Sequence, residues 1–124
     1  MKRKLLIAAG LLFIFILAVS AFFINGLSAG TNVTLDGVNL VDIPDGSYVG
    51  TYNFKRWSNA VMVHVSNHKI TAIETEKDML IPVPDCSAQI FYRVITSQDT
   101  MVDAISGATV SSNAYLKAVE DALD

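Results

Sequence analysis

The chain has 124 residues and a formal net charge of −3, with 12 acidic and nine basic side chains. Residues 25–124 hold all 12 acidic residues but only six of the basic ones, so their net charge is −6, which does not suit nucleic acid or anionic lipid headgroups. The one cysteine, Cys86, excludes an intrachain disulfide, and we expect it to be a small, partly buried residue.

Residues 5–24 form an apolar run without a single charge, directly after Lys2, Arg3 and Lys4. At 1.5 Å per residue, a helix of this length crosses a hydrocarbon core of about 30 Å. Since the next basic residue is Lys55, the positive-inside rule predicts a cytoplasmic N-terminus and an extracytoplasmic remainder. A cleavable signal peptide is the alternative, but its apolar region usually spans about 7–15 residues, so an uncleaved anchor is favoured.

Residues 25–44 are rich in Gly, Asn, Ser and Thr, which predicts a flexible polar tether with at most one short strand. We therefore divide the chain into a basic tip and membrane anchor at 1–24, an exported tether at 25–44 and a folded domain at 45–124. A domain of about 80 residues buries a smaller fraction of its surface than a larger one, so its core is small.

Period-two alternation of apolar residues predicts three strands, over residues 47–54, 60–65 and 70–75. The residues that this alternation places on the inner faces of the first two strands are Tyr48, Gly50, Tyr52, Phe54, Val61, Val63 and Val65. A turn around Asn67 joins the second and third strands, so we expect these two to form an antiparallel hairpin.

Two prolines, Pro82 and Pro84, follow the third strand and hold the backbone before them extended. Residues 87–96 then fit two interpretations. A helix would place Ala88, Phe91, Tyr92 and Ile95 on one face. A strand would instead place Ile90, Tyr92 and Val94 on one face. The helix is favoured.

The last predicted element is an amphipathic helix that begins with Ser111 or Ser112 as its cap and ends near Leu123. Its expected apolar face consists of Tyr115, Ala118, Val119, Ala122 and Leu123. Glu120, Asp121 and Asp124 crowd the C-terminal end, where the helix dipole disfavours negative charge.

Directly before this helix lies the segment Asp103-Ala104-Ile105-Ser106-Gly107-Ala108-Thr109. It places the hydroxyl of Thr109 where the loop gives way to the helix. The start of a helix has unpaired N–H groups and a partial positive charge, so it favours a phosphate. The alternative interpretation is a structural cap, because Ser and Thr are common at helix starts.

The pattern D-x-x-S-G-A-T, continued by Val110-Ser111-Ser112, resembles the attachment motif of the FMN-binding domain family. Members occur in subunits of sodium-pumping NADH:quinone oxidoreductase and of Rnf-type electron transport complexes. The order of the preceding strands is also similar, so the resemblance covers residues 45–123. It implies that an FAD:protein FMN transferase esterifies the phosphate of FMN to Thr109.

The resemblance also implies roles for the other residues of the motif. Ser106, Gly107 and Ala108 would lie at the cofactor, with Gly107 letting the loop turn closely past the phosphate. Asp103 would either help to bind the metal and phosphate of the transferase or cap the loop by bonding a backbone N–H. The proline-interrupted segment 81–84 departs from the Gly-rich loop that many members have.

Several aromatic side chains could stack on a flavin or belong to the core, namely Tyr52, Phe54, Trp57, Phe91 and Tyr92. No GxGxxG segment links a strand to a helix, so a nicotinamide site is not expected. No catalytic residue is predicted. Nor is a metal site, since His64 and His68 lie four residues apart on a strand and a turn.

These observations predict an α+β fold in which an N-terminal transmembrane helix precedes a small antiparallel sheet packed with one or two helices. The resemblance implies a single-pass protein of the cell membrane that carries FMN and relays electrons, as a carrier rather than a turnover enzyme. Its expected partners are the transferase, the membrane, and redox proteins or quinone, but not nucleic acid. The alternatives are an exported interaction module without cofactor and a domain that binds FMN non-covalently.

Overall fold

The computed structural model describes all 124 residues and confirms the predicted α+β fold. The elements are α1 (Lys2–Ile24), α2 (Leu27–Thr31), β1 (Gly46–Tyr52), a 3₁₀ turn (Lys55–Trp57), β2 (Asn59–Ser66), β3 (Lys69–Lys77), α3 (Cys86–Ser97) and α4 (Thr109–Leu123).

Helix α1 is long and apolar, and no residue in it is buried against the rest of the protein. Its most apolar 18-residue window has a mean hydropathy of 2.8. A helix of 23 residues with this composition is long enough to span a bilayer.

The sheet is antiparallel with the strand order β1-β2-β3, and β2 and β3 form the predicted hairpin. Tyr48 pairs with Val63, which in turn pairs with Ile73. Asn67 and His68 form the hairpin turn with φ angles of 51° and 59°, the left-handed backbone that a two-residue hairpin turn requires. The first strand is shorter than predicted, because the chain leaves the sheet after Tyr52, and Phe54 lies beyond the strand before the 3₁₀ turn.

Two helices cover one face of this sheet and enclose the core. Helix α4 crosses β1 and β2, while α3 packs against β3 and α4. Gly50 makes the close approach of β1 possible, since a Cβ at this position would lie 2.0 Å from the carbonyl oxygen of Ala118. Helix α3 confirms the favoured interpretation, but its buried face is formed by Cys86, Ile90, Phe91 and Val94 rather than by the predicted set. Ala88 and Tyr92 are exposed.

The segment that joins α1 to the sheet contains no strand. It forms α2 and then runs along the outer side of α4. Gly30 is buried against Val110, and the side-chain amide of Asn113 donates to the carbonyl of Gly30 at 3.0 Å. The backbone N–H groups of Asp36 and Gly37 both donate to one carboxylate oxygen of Glu120, at 2.8 and 3.0 Å. Helix α4 is therefore enclosed on both sides.

Candidate functional site

Helix α4 begins three or four residues earlier than the sequence predicts. Its first helical residue is Thr109, and its N-cap is Ala108 rather than Ser111 or Ser112. The reason is that Ser112 bonds back toward the loop: its hydroxyl donates to the carbonyl of Ala108 at 2.7 Å and accepts from the N–H of Ile105 at 3.0 Å. Through these two bonds Ser112, which lies in the first turn of α4, connects Ile105 and Ala108, the residues on either side of the turn at Ser106 and Gly107.

The side chain of Thr109 is exposed at this helix start. The N–H groups of Thr109, Val110 and Ser111 have no acceptor in the protein, and no side chain caps the helix. The Thr109 hydroxyl therefore lies at the helix end that carries three free donors and the positive end of the dipole of a 15-residue helix. An oxyanion such as a phosphate fits this arrangement.

Gly107 gives the loop its shape just before the helix. Its φ angle is +81°, a left-handed conformation that residues with a Cβ rarely adopt. A Cβ at this position would meet nothing within 4 Å. The requirement for glycine therefore comes from the backbone conformation rather than from a crowded neighbour.

Thr109 borders a groove of about 340 Å³ between the helix start and the segment that leaves α1. Its lining residues are Leu27, Thr31, Arg56, Trp57, Val83, Gly107, Ala108, Thr109, Val110 and Ser111. The structure thus brings three of the predicted site residues, Gly107, Ala108 and Thr109, to one groove.

Arg56 is the cationic residue of this groove, and sequence reasoning did not identify it. Its guanidinium lies 4.1 Å from the centre of the Trp57 ring, and Nη2 donates to the carbonyl of Phe23 at 3.1 Å. Its Nε is buried without a hydrogen-bond partner, and the side chain contributes a positive charge to the lining of the groove. The only signal in the sequence is a basic residue next to the single tryptophan of an acidic domain.

The other two predicted site residues lie elsewhere. Asp103 and Ser106 line a separate, wider depression of about 620 Å³ together with Tyr92 and Arg93. The Asp103 carboxylate makes no hydrogen bond, so this side chain does not cap the loop as one interpretation expected. Instead, the backbone carbonyl of Asp103 accepts from Nη1 of Arg93 at 2.6 Å.

Most of the candidate aromatic residues belong to the core. Trp57 is 1 % exposed, and its ring contacts Phe54 in a stacked arrangement at 6.0 Å and the guanidinium of Arg56 at 4.1 Å. Phe91 packs edge-on against Tyr115. Of the five, Tyr92 is the one large exposed ring, and it faces the depression beside Asp103 rather than the groove of Thr109.

Two side-chain contacts link the first half of α4 to neighbouring segments, one between Tyr115 and Asp78 and one between Ser112 and Cys86. The Tyr115 hydroxyl donates to Oδ1 of Asp78 at 2.6 Å, and burial raises the pKa of Tyr115 further above its ordinary value. Sγ of Cys86 lies 3.7 Å from Oγ of Ser112, and burial raises the pKa of the Cys86 thiol. Cys86 is fully buried and is a packing residue.

Comparison with known proteins identifies the region that contains this groove. The family model of the FMN-binding domain matches residues 57–124, which is more than half of the chain. The match begins at Trp57 and runs through β2, β3, α3, the loop and α4. No curated protein sequence matches the chain.

Proposed function

Since the chain belongs to the FMN-binding domain family, we propose that it is a membrane-anchored flavoprotein that carries FMN esterified to Thr109. The observation that carries this proposal is the exposed hydroxyl of Thr109 beside three free N–H groups at the start of α4. Arg56 adds a positive charge at the edge of the same groove. Together these groups offer a phosphate both a point of attachment and neutralisation of its charge.

The attachment is a group transfer from FAD to the chain. Oγ1 of Thr109 forms a bond to the phosphorus that belongs to the FMN half, the phosphoanhydride bond breaks, and AMP leaves while the hydroxyl gives up its proton. An FAD:protein FMN transferase performs this step. The chain itself contributes the exposed hydroxyl, the left-handed turn at Gly107, and the two hydrogen bonds by which Ser112 fixes that turn.

Bound FMN supplies the capacity to take up and release one or two electrons. Helix α1 anchors the protein, with its basic N-terminus in the cytoplasm and the folded domain outside. The chain then relays electrons between the membrane and extracytoplasmic partners, which are redox proteins or quinone. An ester bond keeps the cofactor on a domain that lies outside the compartment where FMN is made.

Attachment at Thr109 is tested by co-expressing the full chain with a transferase and measuring intact mass and flavin fluorescence on a denaturing gel. The wild type should gain the mass of FMN less one water and should fluoresce. Thr109→Ala should lose both signals, Thr109→Ser should retain part of them, and Thr75→Ala, at an exposed threonine of β3, is the matched control. Flavin that disappears on denaturation would support non-covalent binding, and a colourless wild type would support the interaction module.

Recognition of the motif is tested separately with Asp103→Ala and Gly107→Val. Both should strongly reduce flavin per protein in the same co-expression. Asp103→Ala should melt like the wild type, because removing an exposed acid without hydrogen bonds changes stability little. Normal flavin loading of both variants would show that the transferase does not read this segment.

The proposed topology is tested with a tag fused after Asp124. Protease added to intact cells or protoplasts should digest the tag, because the basic residues precede α1 and the domain follows it. Full protection of the tag would contradict an extracytoplasmic domain.

A further inference from the structure

Half of the basic residues that follow α1 gather where this helix ends. Lys55, Arg56 and Lys77 line a cavity of about 450 Å³ together with Phe22 and Asn25. Nζ of Lys55 donates to Oδ1 of Asn25 at 2.5 Å, and Arg56 donates to the carbonyl of Phe23. Lys55 and Arg56 are thus bonded to the end of α1, and Lys77 lines the same cavity.

One acidic side chain, Asp78, lines the same cavity. Its Oδ1 already accepts hydrogen bonds from the Tyr115 hydroxyl and from the N–H of Met79. The cavity therefore keeps an excess of positive charge, although residues 25–124 as a whole carry a net charge of −6.

Exposed apolar side chains lie beside these cations. Leu80 is 70 % exposed and lines the cavity, and its N–H donates to the carbonyl of Arg56 at 3.1 Å. Ile81 and Val83, which follow it, are also exposed large apolar residues. Basic and apolar side chains in one place next to a membrane helix are the combination that favours the lipid headgroup region.

We propose that this juxtamembrane face, formed by Lys55, Lys77, Leu80 and Ile81, binds the phosphates of anionic phospholipids and holds the domain against the bilayer. The overall negative charge does not prevent this. At physiological ionic strength the Debye length is about 8 Å, so charges on the far side of the domain are screened. The charges nearest the headgroups decide the interaction, and those include the two lysines, Lys55 and Lys77.

The two ends of β3 provide a matched comparison. Lys77 lies at the membrane-proximal end, and Lys69 lies at the other end of the same nine-residue strand. At about 3.3 Å per residue the two lysines are separated by about 26 Å, which exceeds the Debye length threefold. Removing the charge of Lys69 therefore serves as a control for removing that of Lys77.

The test uses the full chain, without transferase, in vesicles of phosphatidylcholine alone or mixed with phosphatidylglycerol. An environment-sensitive fluorophore is attached through Leu80→Cys, or through Ser66→Cys at the distal hairpin, and quenched by lipids with a nitroxide on the headgroup. The chain without an added cysteine controls for labelling of the buried Cys86. Thermal melts confirm that each variant is folded.

We expect strong quenching at position 80 in vesicles that contain phosphatidylglycerol, weaker quenching in phosphatidylcholine, and little at position 66 in either. Each lysine near an anionic surface contributes about fivefold, so the double variant Lys55→Gln, Lys77→Gln should lower the ratio of docked to undocked domain by roughly 25-fold. Lys69→Gln should leave it unchanged, and Lys55→Arg with Lys77→Arg should preserve it.

Two results would overturn the proposal. One is quenching at position 80 that is independent of phosphatidylglycerol or of the double glutamine change. The other is shielding of the label that rises with the protein-to-lipid ratio, which would assign the face to a second copy of the chain. Neither readout depends on flavin, so the outcome is separate from that of attachment at Thr109.

Discussion

Helices α1 and α4 differ in a way that hydropathy alone does not convey. Helix α1 is almost entirely apolar, yet none of its 23 residues is buried in the protein. Helix α4 has polar residues along its length, yet 12 of its 15 residues are buried, Ser111, Ser112, Asn113 and Glu120 among them. An apolar helix suits lipid, whereas a mixed helix can be buried only where the surrounding chain bonds its polar groups.

The polar groups of α4 have such partners because two layers enclose the helix. Ser112 bonds to the loop before the helix, Asn113 to the carbonyl of Gly30, and Glu120 to the N–H groups of Asp36 and Gly37. The sheet covers the inner side, and residues 27–38 cover the outer side. The comparison therefore predicts that substitutions in α4, or against it, destabilise the folded domain, whereas similar substitutions in α1 do not.

Glycine-to-alanine changes should give the largest difference in stability between a position packed against α4 and a position in α1. A methyl group at Gly50 would meet the backbone of α4 at 2.0 and 2.4 Å, whereas one at Gly10 of α1 meets nothing. Gly50→Ala should lower the free energy of unfolding by about 3 kcal/mol or more, and Gly10→Ala should leave it unchanged. Denaturant titration followed by the fluorescence of Trp57 measures both. A wild-type midpoint for Gly50→Ala would show that α4 does not sit this close to β1.

An arginine substitution should have a different consequence in each of the two helices. Leu12→Arg in α1 opposes membrane insertion by about 2.5–3.5 kcal/mol and should shift protein out of the membrane fraction. Leu116→Arg in α4 puts a charge at a fully buried position and should unfold the domain while the chain stays membrane-bound. Fractionation together with Trp57 fluorescence separates the two effects, and Leu12→Phe is the control. A folded Leu116→Arg variant would contradict the burial of α4.

Glu120 connects α4 to its outer cover. Glu120→Ala removes the acceptor of two backbone N–H groups and should lower the free energy of unfolding by about 1–3 kcal/mol. The amides of Asp36 and Gly37 should exchange with deuterium faster, which hydrogen-exchange measurements detect residue by residue. Asp124→Ala, at the exposed end of the same helix, should change neither quantity. Unchanged exchange at these amides in Glu120→Ala would show that this segment is held by other contacts.

The smallest expected effect is the loss of stability at alkaline pH, to which Tyr115 contributes. Burial and the contact with Asp78 raise the pKa of Tyr115 from its ordinary value of 10.0, and burial raises that of Cys86 from 9.0. A raised pKa stabilises the fold below the unfolded-state pKa, and this stabilisation is lost as pH rises further. The free energy of unfolding should therefore fall above about pH 9.

Tyr115→Phe tests the origin of this dependence. It should lower stability by about 1 kcal/mol at neutral pH, through loss of the hydrogen bond to Asp78, and should flatten the decline above pH 10. Denaturant titrations at several pH values provide the measurement, with Tyr92→Phe, an exposed tyrosine, as control. An equally steep decline in Tyr115→Phe would assign the pH dependence to other groups.

The sequence alone determined the features that depend on local pattern. The uncharged run before Asn25 gave α1, alternation gave three strands and their hairpin, and helical spacing gave the apolar face of α4, whereas for α3 the pattern favoured a helix over a strand without identifying its buried face. The motif that ends at Thr109 pointed to the FMN-binding domain family, because its residues are contiguous in the chain. Each of these signals lies within a few turns or one strand, so neighbouring residues are enough to specify it.

Tertiary structure decided what depends on residues far apart in the chain. Helix α4 starts at Thr109 because Ser112 bonds back to Ala108 and Ile105, and β1 ends at Tyr52 as the chain turns toward Trp57. Residues 27–38 cover α4 through backbone N–H and carbonyl groups, which carry no signature in the sequence. The same holds for the acids at the end of α4: Glu120 and Asp121 accept backbone N–H groups of Asp36, Gly37 and Thr51, and these bonds oppose the unfavourable helix dipole there.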